Sequence, residues 1–272
     1  MPLVDAHCHI YPAKIAQKAV DSVGDFYLID MLGTEADSGI VSGTTEHLQS
    51  ITEHSPITHG IVHSVAVKTS TVKSINDFIA EECATHPQLI GFMTMHQDFE
   101  DPEAEIDRAI AMGLKGIKLH PDTQKVNLDD PRLMRVYEIA EKRGLPLIIH
   151  TGDYRYDYSH PRRMRRVLHE FPNLVVNAAH FGGWSIYDLG YEILGHERCF
   201  VDCSSAMTYL GRLRSRELIE LFGPDRVLFG SDFPMWSPTS ELDILNSLQL
   251  SAADYEKVTW RNAERFLGMD IE

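Results

Sequence analysis

Along most of the chain, short apolar runs alternate with longer segments in which apolar residues recur at helical spacing. The runs Leu3 to His7, Ile61 to Val67, Leu89 to Met95, Gly116 to Leu119, Leu147 to His150, Leu174 to Ala179, Phe200 to Cys203 and Val227 to Phe229 read as buried strands. Between and after them, Val72 to His86, Pro102 to Met112, Pro131 to Arg143, Pro161 to Glu170, Ser185 to Leu194, Arg214 to Phe222, Glu241 to Gln249 and Ala252 to Phe266 read as helical. Local chemistry agrees at two of the ends. Pro102 opens its helix with Glu103 and Glu105 in the first turn, and Gly144 closes the helix before it.

Eight strand and helix units in one chain of 272 residues predict a single (β/α)8 TIM barrel domain, residues 1–272. An open doubly wound sheet would want a glycine-rich phosphate loop after an early strand, and none is present. The least regular stretch runs from Tyr11 to about His59. Its helical pieces, Lys14 to Val20 and Thr45 to Glu53, are separated by Gly24, Gly33, Gly39 and Gly43. This reads as an extended loop and helix insertion after strand 1 that slightly distorts the barrel and forms a lid or binding wall.

Composition narrows the functions open to such a barrel. Hydrophobic residues make up 43% and charged residues 24%, as in an ordinary soluble domain. A net charge of −15 opposes binding to nucleic acid or to an anionic membrane, but not binding of a small anion beside a buried cation. No signal-peptide pattern precedes Val4, and no apolar run approaches the length of a membrane span. Cys8, Cys83, Cys199 and Cys203 lack zinc-ribbon spacing and read as reduced thiols, so the expected location is cytoplasmic.

In a barrel of this kind the site lies at the C-terminal ends of the strands. The residues there are His7 and His9, His63, His96, Lys118 and His120, His150, His180, Asp202 and Ser204, and Asp232. Strand alternation sends His7 and His9 to one face, with Asp5 behind them on the same face, so the pair can share a divalent metal.

Several segments together resemble a known family: Val4-Asp-Ala-His-Cys-His9, Gly116-Ile-Lys-Leu-His-Pro121, Pro146-Leu-Ile-Ile-His150, Ala179-His-Phe-Gly-Gly183 and Phe229-Gly-Ser-Asp-Phe-Pro234. Their order and spacing are similar to the amidohydrolase superfamily, and within it to the amidohydrolase-related branch of aminocarboxymuconate-semialdehyde decarboxylase-like proteins. The resemblance implies that His7, His9, His150 and Asp232 ligate a metal, with His180 a further ligand or a catalytic hydrogen-bonding partner. Imidazole and carboxylate donors suit Zn²⁺, with Mn²⁺ or Fe²⁺ as alternatives. One ion is expected, and a second if Lys118 is carboxylated as in some superfamily members. Catalytic roles fall to Asp232 as proton carrier, His180 and Lys118.

Beside these, His120 shares the strand face of Lys118 and is a candidate substrate contact. Arg155 and Tyr154 in the segment after strand 5 are candidates to hold a carboxylate and pack a ring. Two reactions fit. The first is hydrolysis of an ester, lactone, amide or β-keto compound by metal-activated water. The alternative is decarboxylation of a small aromatic or unsaturated acid. A phosphoesterase of the polymerase-and-histidinol-phosphatase kind would carry a histidine after the late aspartate, where this chain has Phe233 and Pro234. The expected partner is a small-molecule substrate, and the resemblance is compatible with a homodimer.

Overall fold

The computed structural model describes residues 2–34 and 38–271. Its strands are β1 (Val4–His9), β2 (His59–His63), β3 (Leu89–Thr94), β4 (Gly116–Leu119), β5 (Leu147–Ile149), β6 (Val176–Ala178), β7 (Phe200–Asp202) and β8 (Val227–Leu228). Each pairs in parallel with the next, in sequence order. The segment from β8 onward closes the ring against β1. Ala6 N–H donates to the Phe229 carbonyl at 2.8 Å, Asp232 N–H to His7 at 2.8 Å, and His9 N–H to Phe233 at 2.7 Å. These bonds carry Asp232 to the histidine strand. The predicted TIM barrel is the fold.

Helices pack around the outside through one large apolar cluster that includes Ile79, Ile106, Val136, Val167, Leu218 and Leu245. A smaller cluster (Val4, Ile61, Phe92, Ile148 and Leu228, closed by Phe266) fills the barrel beneath the histidines. Ile148 stands two residues before His150 and so shares its face. The insertion after β1 supplies α1 (Ala13–Tyr27) and α2 (Thr45–Thr52). Helix α2 starts at Thr44, whose hydroxyl accepts from His47 N–H at 3.1 Å. Helix α1 runs a full two turns beyond the expected Val20 and ends on Phe26 and Tyr27.

Three expectations change. The second strand ends at His63, not Val67, because the Ser64 hydroxyl turns to the Ile10 carbonyl and Ala66 N–H to Thr94 Oγ1. That places His63 at a strand end facing the site. The helix after β7 begins at Met207 instead of Arg214, broken at Gly211, whose φ of 69° interrupts the periodicity. Asp5 leaves the histidine face, since a register shift between Asp5 and Cys8 breaks the alternation. Asp5 instead lines a separate cavity of about 750 Å³ beside α2, and its Oδ1 accepts from His7 and Ser231 N–H.

Among the described residues all four cysteines are free thiols, and no helix is long and apolar enough to cross a membrane.

One buried acid makes a stability prediction. Glu241, in the first turn of the helix Pro238–Ser247, accepts from Thr208 Oγ1 at 2.6 Å, but its Oε2 is buried without a partner. Burial pushes this carboxyl from 4.5 up to about 7. Its folded value exceeds its unfolded one, so stability is fully present below 4.5 and is lost as pH rises through 7. Glu241→Gln should therefore gain on wild type above neutrality, by on the order of 3 kcal/mol at most. Urea midpoints of both proteins across this range test it. Parallel pH profiles would show that the carboxyl is not held protonated.

Candidate metal centre

The His-x-His pair of β1 points into the barrel mouth. His7 Nε2 lies 3.3 Å and His9 Nε2 3.4 Å from the same atom, Asp232 Oδ1. Asp232 holds a left-handed backbone (φ 64°), fixed by its N–H bond to His7. Such strain persists where surrounding structure imposes it, and functional residues are where it concentrates. Its Oδ2 accepts from Ser205 Oγ at 2.6 Å. Burial pushes this carboxyl up, but His7, His9 and His180 outweigh it and hold it well below the usual carboxylate range.

Asp202 at the end of β7 fixes the tautomer of His7. Its Oδ2 lies 3.0 Å from His7 Nδ1, which therefore donates and leaves Nε2 an acceptor facing the site. Burial and the neighbouring Lys118 push His7 down to about 4, so the ring is neutral at pH 7. Lys118 is wholly buried with Nζ 2.6 Å from His7 Nε2, and burial lowers it to about 8.

His180 also sits in a left-handed conformation (φ 61°). Its N–H donates to Asp202 Oδ1 at 3.1 Å and its Nδ1 lies 3.0 Å from the Ser204 carbonyl, so Nε2 faces the site as an acceptor. Its ring stacks on His7 at 5.0 Å. His150 follows, with Nδ1 3.1 Å from His180 Nε2. Gly152 makes that approach available: a Cβ there would lie 2.5 Å from Gly183 Cα, so only glycine lets the loops after β5 and β6 touch.

Of the five expected ligands, His7, His9 and Asp232 thus converge on one point. His180 and His150 extend from it in a row. Beyond them His120 lies parallel to His150, with ring centres 4.0 Å apart, and its Nε2 meets the Tyr27 hydroxyl at 2.7 Å.

His63 stood among the strand-end residues without an assigned role, and the structure gives it a place. Its ring centre lies 5.0 Å from His7 and 4.4 Å from His9, and both its nitrogens are buried with no hydrogen-bond partner. Ligand atoms of His7, His9 and His63 all fall within 4.8 Å of one another. Neutral imidazoles with orphaned nitrogens beside an ionised carboxylate are a donor set that fits a divalent cation.

Two expected substrate contacts lie elsewhere. Arg155 Nε and Nη2 bind Asp153 at 3.0 and 2.7 Å, and Nη1 donates to the Phe26 carbonyl at 2.6 Å. Its guanidinium also stacks against Phe26, Tyr27 and Trp184. The buried carboxylate two residues upstream captures this cation, which pins α1 to the loop after β5. Tyr154 is 72% exposed and does not line the cavity.

That cavity, about 550 Å³, has His7, His9, His120, His150, His180, Lys118 and Asp232 as its floor. Tyr11, Phe26, Tyr27, Trp184 and Met235 wall it. Sequence reasoning missed Tyr27 and Trp184, which come from the insertion and from a loop. It also missed Asp122, whose Oδ2 lies 3.3 Å from His150 Nε2 and whose carboxyl burial pushes up to about 7.

The model of the amidohydrolase family matches residues 4–269 of this barrel. The chain belongs to that family. A 2-amino-3-carboxymuconate-6-semialdehyde decarboxylase from Dictyostelium discoideum is 27% identical over 239 residues, covering 72% of this chain. The match spans 66% of that relative, just under two thirds of its length. Among solved structures, a 2,6-dihydroxybenzoate decarboxylase in complex with 2,6-dihydroxybenzoate is similar at a TM-score of 0.73 and 17% identity, covering 99% of this chain and 100% of that one. A 5-carboxyvanillate decarboxylase from Novosphingobium aromaticivorans, complexed with manganese, is similar at a TM-score of 0.76 and 16% identity, covering 98% and 96%. These two likenesses concern the fold.

Proposed function

We propose that the protein is a metal-dependent decarboxylase of a small aromatic or unsaturated carboxylic acid, the second of the two reactions the sequence admits. The observation that carries this reading is the cavity itself: a cationic and metal-ligating floor beneath walls of Phe26, Tyr27 and Trp184. Flat aromatic walls suit a planar acid. The decarboxylase relatives support the same choice over hydrolysis.

His7, His9, His63 and Asp232 would hold the cation, with His180 and His150 adjoining. The donor set takes zinc or manganese, and manganese in the related 5-carboxyvanillate decarboxylase supports the latter. When bound, the cation supplies Lewis acidity toward the substrate's oxygens. Lys118 offers its charge to the carboxylate from below. In the reaction the bond from ring or vinyl carbon to the carboxylate breaks, its electron pair stays on that carbon, and a proton replaces the carbon dioxide. Asp232, ionised in the resting site, would take that proton from water and hand it to the carbon, with His180, whose Nδ1–H is tied to Ser204, presenting Nε2 beside it.

Product analysis tests the reading. Manganese-loaded protein should release carbon dioxide from members of a hydroxybenzoate and unsaturated-acid panel while leaving neutral aryl esters intact. Ester cleavage with no carbon dioxide from any acid would restore the hydrolase.

A further inference from the structure

Two lysines line the cavity, and they differ in kind. Lys118 is buried in the floor against His7. Lys125 stands at the exposed rim, at the end of the short helix Pro121–Gln124 that follows β4. Its backbone is left-handed (φ 55°), a conformation that glycine or asparagine adopts at helix ends far more readily than lysine.

Its neighbours hold that backbone still. Gln124 is buried, with its Oε1 accepting from His120 N–H at 3.0 Å and its Nε2 donating to the Ala66 and Met95 carbonyls. Val126 is buried on the other side, its N–H bonded to the Pro121 carbonyl. The Lys125 side chain itself is exposed. Among the described residues no carboxylate pairs with its ammonium, in a chain where 40 acidic residues outnumber 25 basic ones. Arg155, beside the cavity walls, is consumed by Asp153.

We propose that Lys125 is a specificity-determining residue that binds a second anionic group of the substrate at the cavity rim, while the substrate's other carboxylate meets the metal-binding floor. The substrate class is then a planar diacid, or an acid with an equivalent second anion. This rests on the reading of the cavity as the seat of an organic acid. It does not require that the acid lose carbon dioxide.

Binding tests it directly. Calorimetry on manganese-loaded protein compares benzoate and naphthoate with isophthalate, terephthalate and naphthalene dicarboxylate. At least one diacid should bind more tightly than its monoacid, by roughly fivefold for an exposed ion pair. Lys125→Met should remove that preference without weakening monoacid binding, Lys125→Arg should keep it, and added salt should erode it. No diacid preference in wild type, or a preference that survives Lys125→Met, overturns the inference. Diacid preference that depends on Lys125 in a protein releasing no carbon dioxide removes the decarboxylase reading and leaves this one standing.

Discussion

Asp232→Asn is expected to cut turnover by at least about a hundredfold, and by as much as ten-thousandfold if proton transfer limits the rate. One atom explains the size of the effect. Asp232 Oδ1 is the point on which His7 and His9 converge, and only the ionised carboxylate offers a charge there. Asparagine keeps the shape and an oxygen, but it carries no negative charge and cannot take up a proton. The fold should survive, because asparagine tolerates the left-handed backbone at this position better than most residues. The N–H bond to the His7 carbonyl is also unaffected. The measurements are steady-state rates, metal content and circular dichroism on the same preparation. A variant that retains its metal and a near-native rate would move the proton path to His180.

The barrel was legible because its strands are short, apolar and bounded by polar ends, and because every strand is buried on both faces. The His-x-His pair and Asp232 were legible through order and spacing, which a barrel converts into proximity. Asp5 was not, since a register shift inside β1 reverses the face that simple alternation assigns. Nor was the position of His63. The sequence runs apolar through Val67, and only the Ser64 hydroxyl's turn to Ile10 marks the end of the strand.

Arg155 shows a different limit. A cation in an aromatic loop reads as an anion site, yet Asp153 lies two residues away and the guanidinium closes on it. Whether such a charge is free depends on side-chain geometry that spacing does not encode. Lys125 is the converse. Nothing in the sequence singles it out, and it becomes informative only when its backbone conformation and the cavity beside it are known.

The second large effect belongs to Asp202, which touches no substrate. It is wholly buried and accepts five hydrogen bonds: His7 Nδ1 at 3.0 Å and Asn177 Nδ2 at 2.7 Å on Oδ2, with His180 N–H, Ser204 N–H and the Ser204 hydroxyl on Oδ1. Asp202→Ala strands these donors together, and breaking a buried charged network of this kind costs about 3–5 kcal/mol. Asp202→Asn keeps the volume but lets His7 change tautomer, so its expected signature is metal affinity lowered by about 10- to 100-fold. The pH dependence separates this account from a simple packing loss. Burial alone would raise the Asp202 carboxyl, but His7, His180 and Ser204 hold it below its ordinary 3.8. A depressed folded value gives stability that is present above 3.8 and lost as pH falls through the folded value. The gap between wild type and Asp202→Ala, read from urea midpoints in chelator, should therefore be full at neutral pH and close only in strong acid. A gap that is absent at neutral pH and opens on acidification would carry the opposite sign, and would mean that Asp202 is protonated in the folded protein and does not anchor His7.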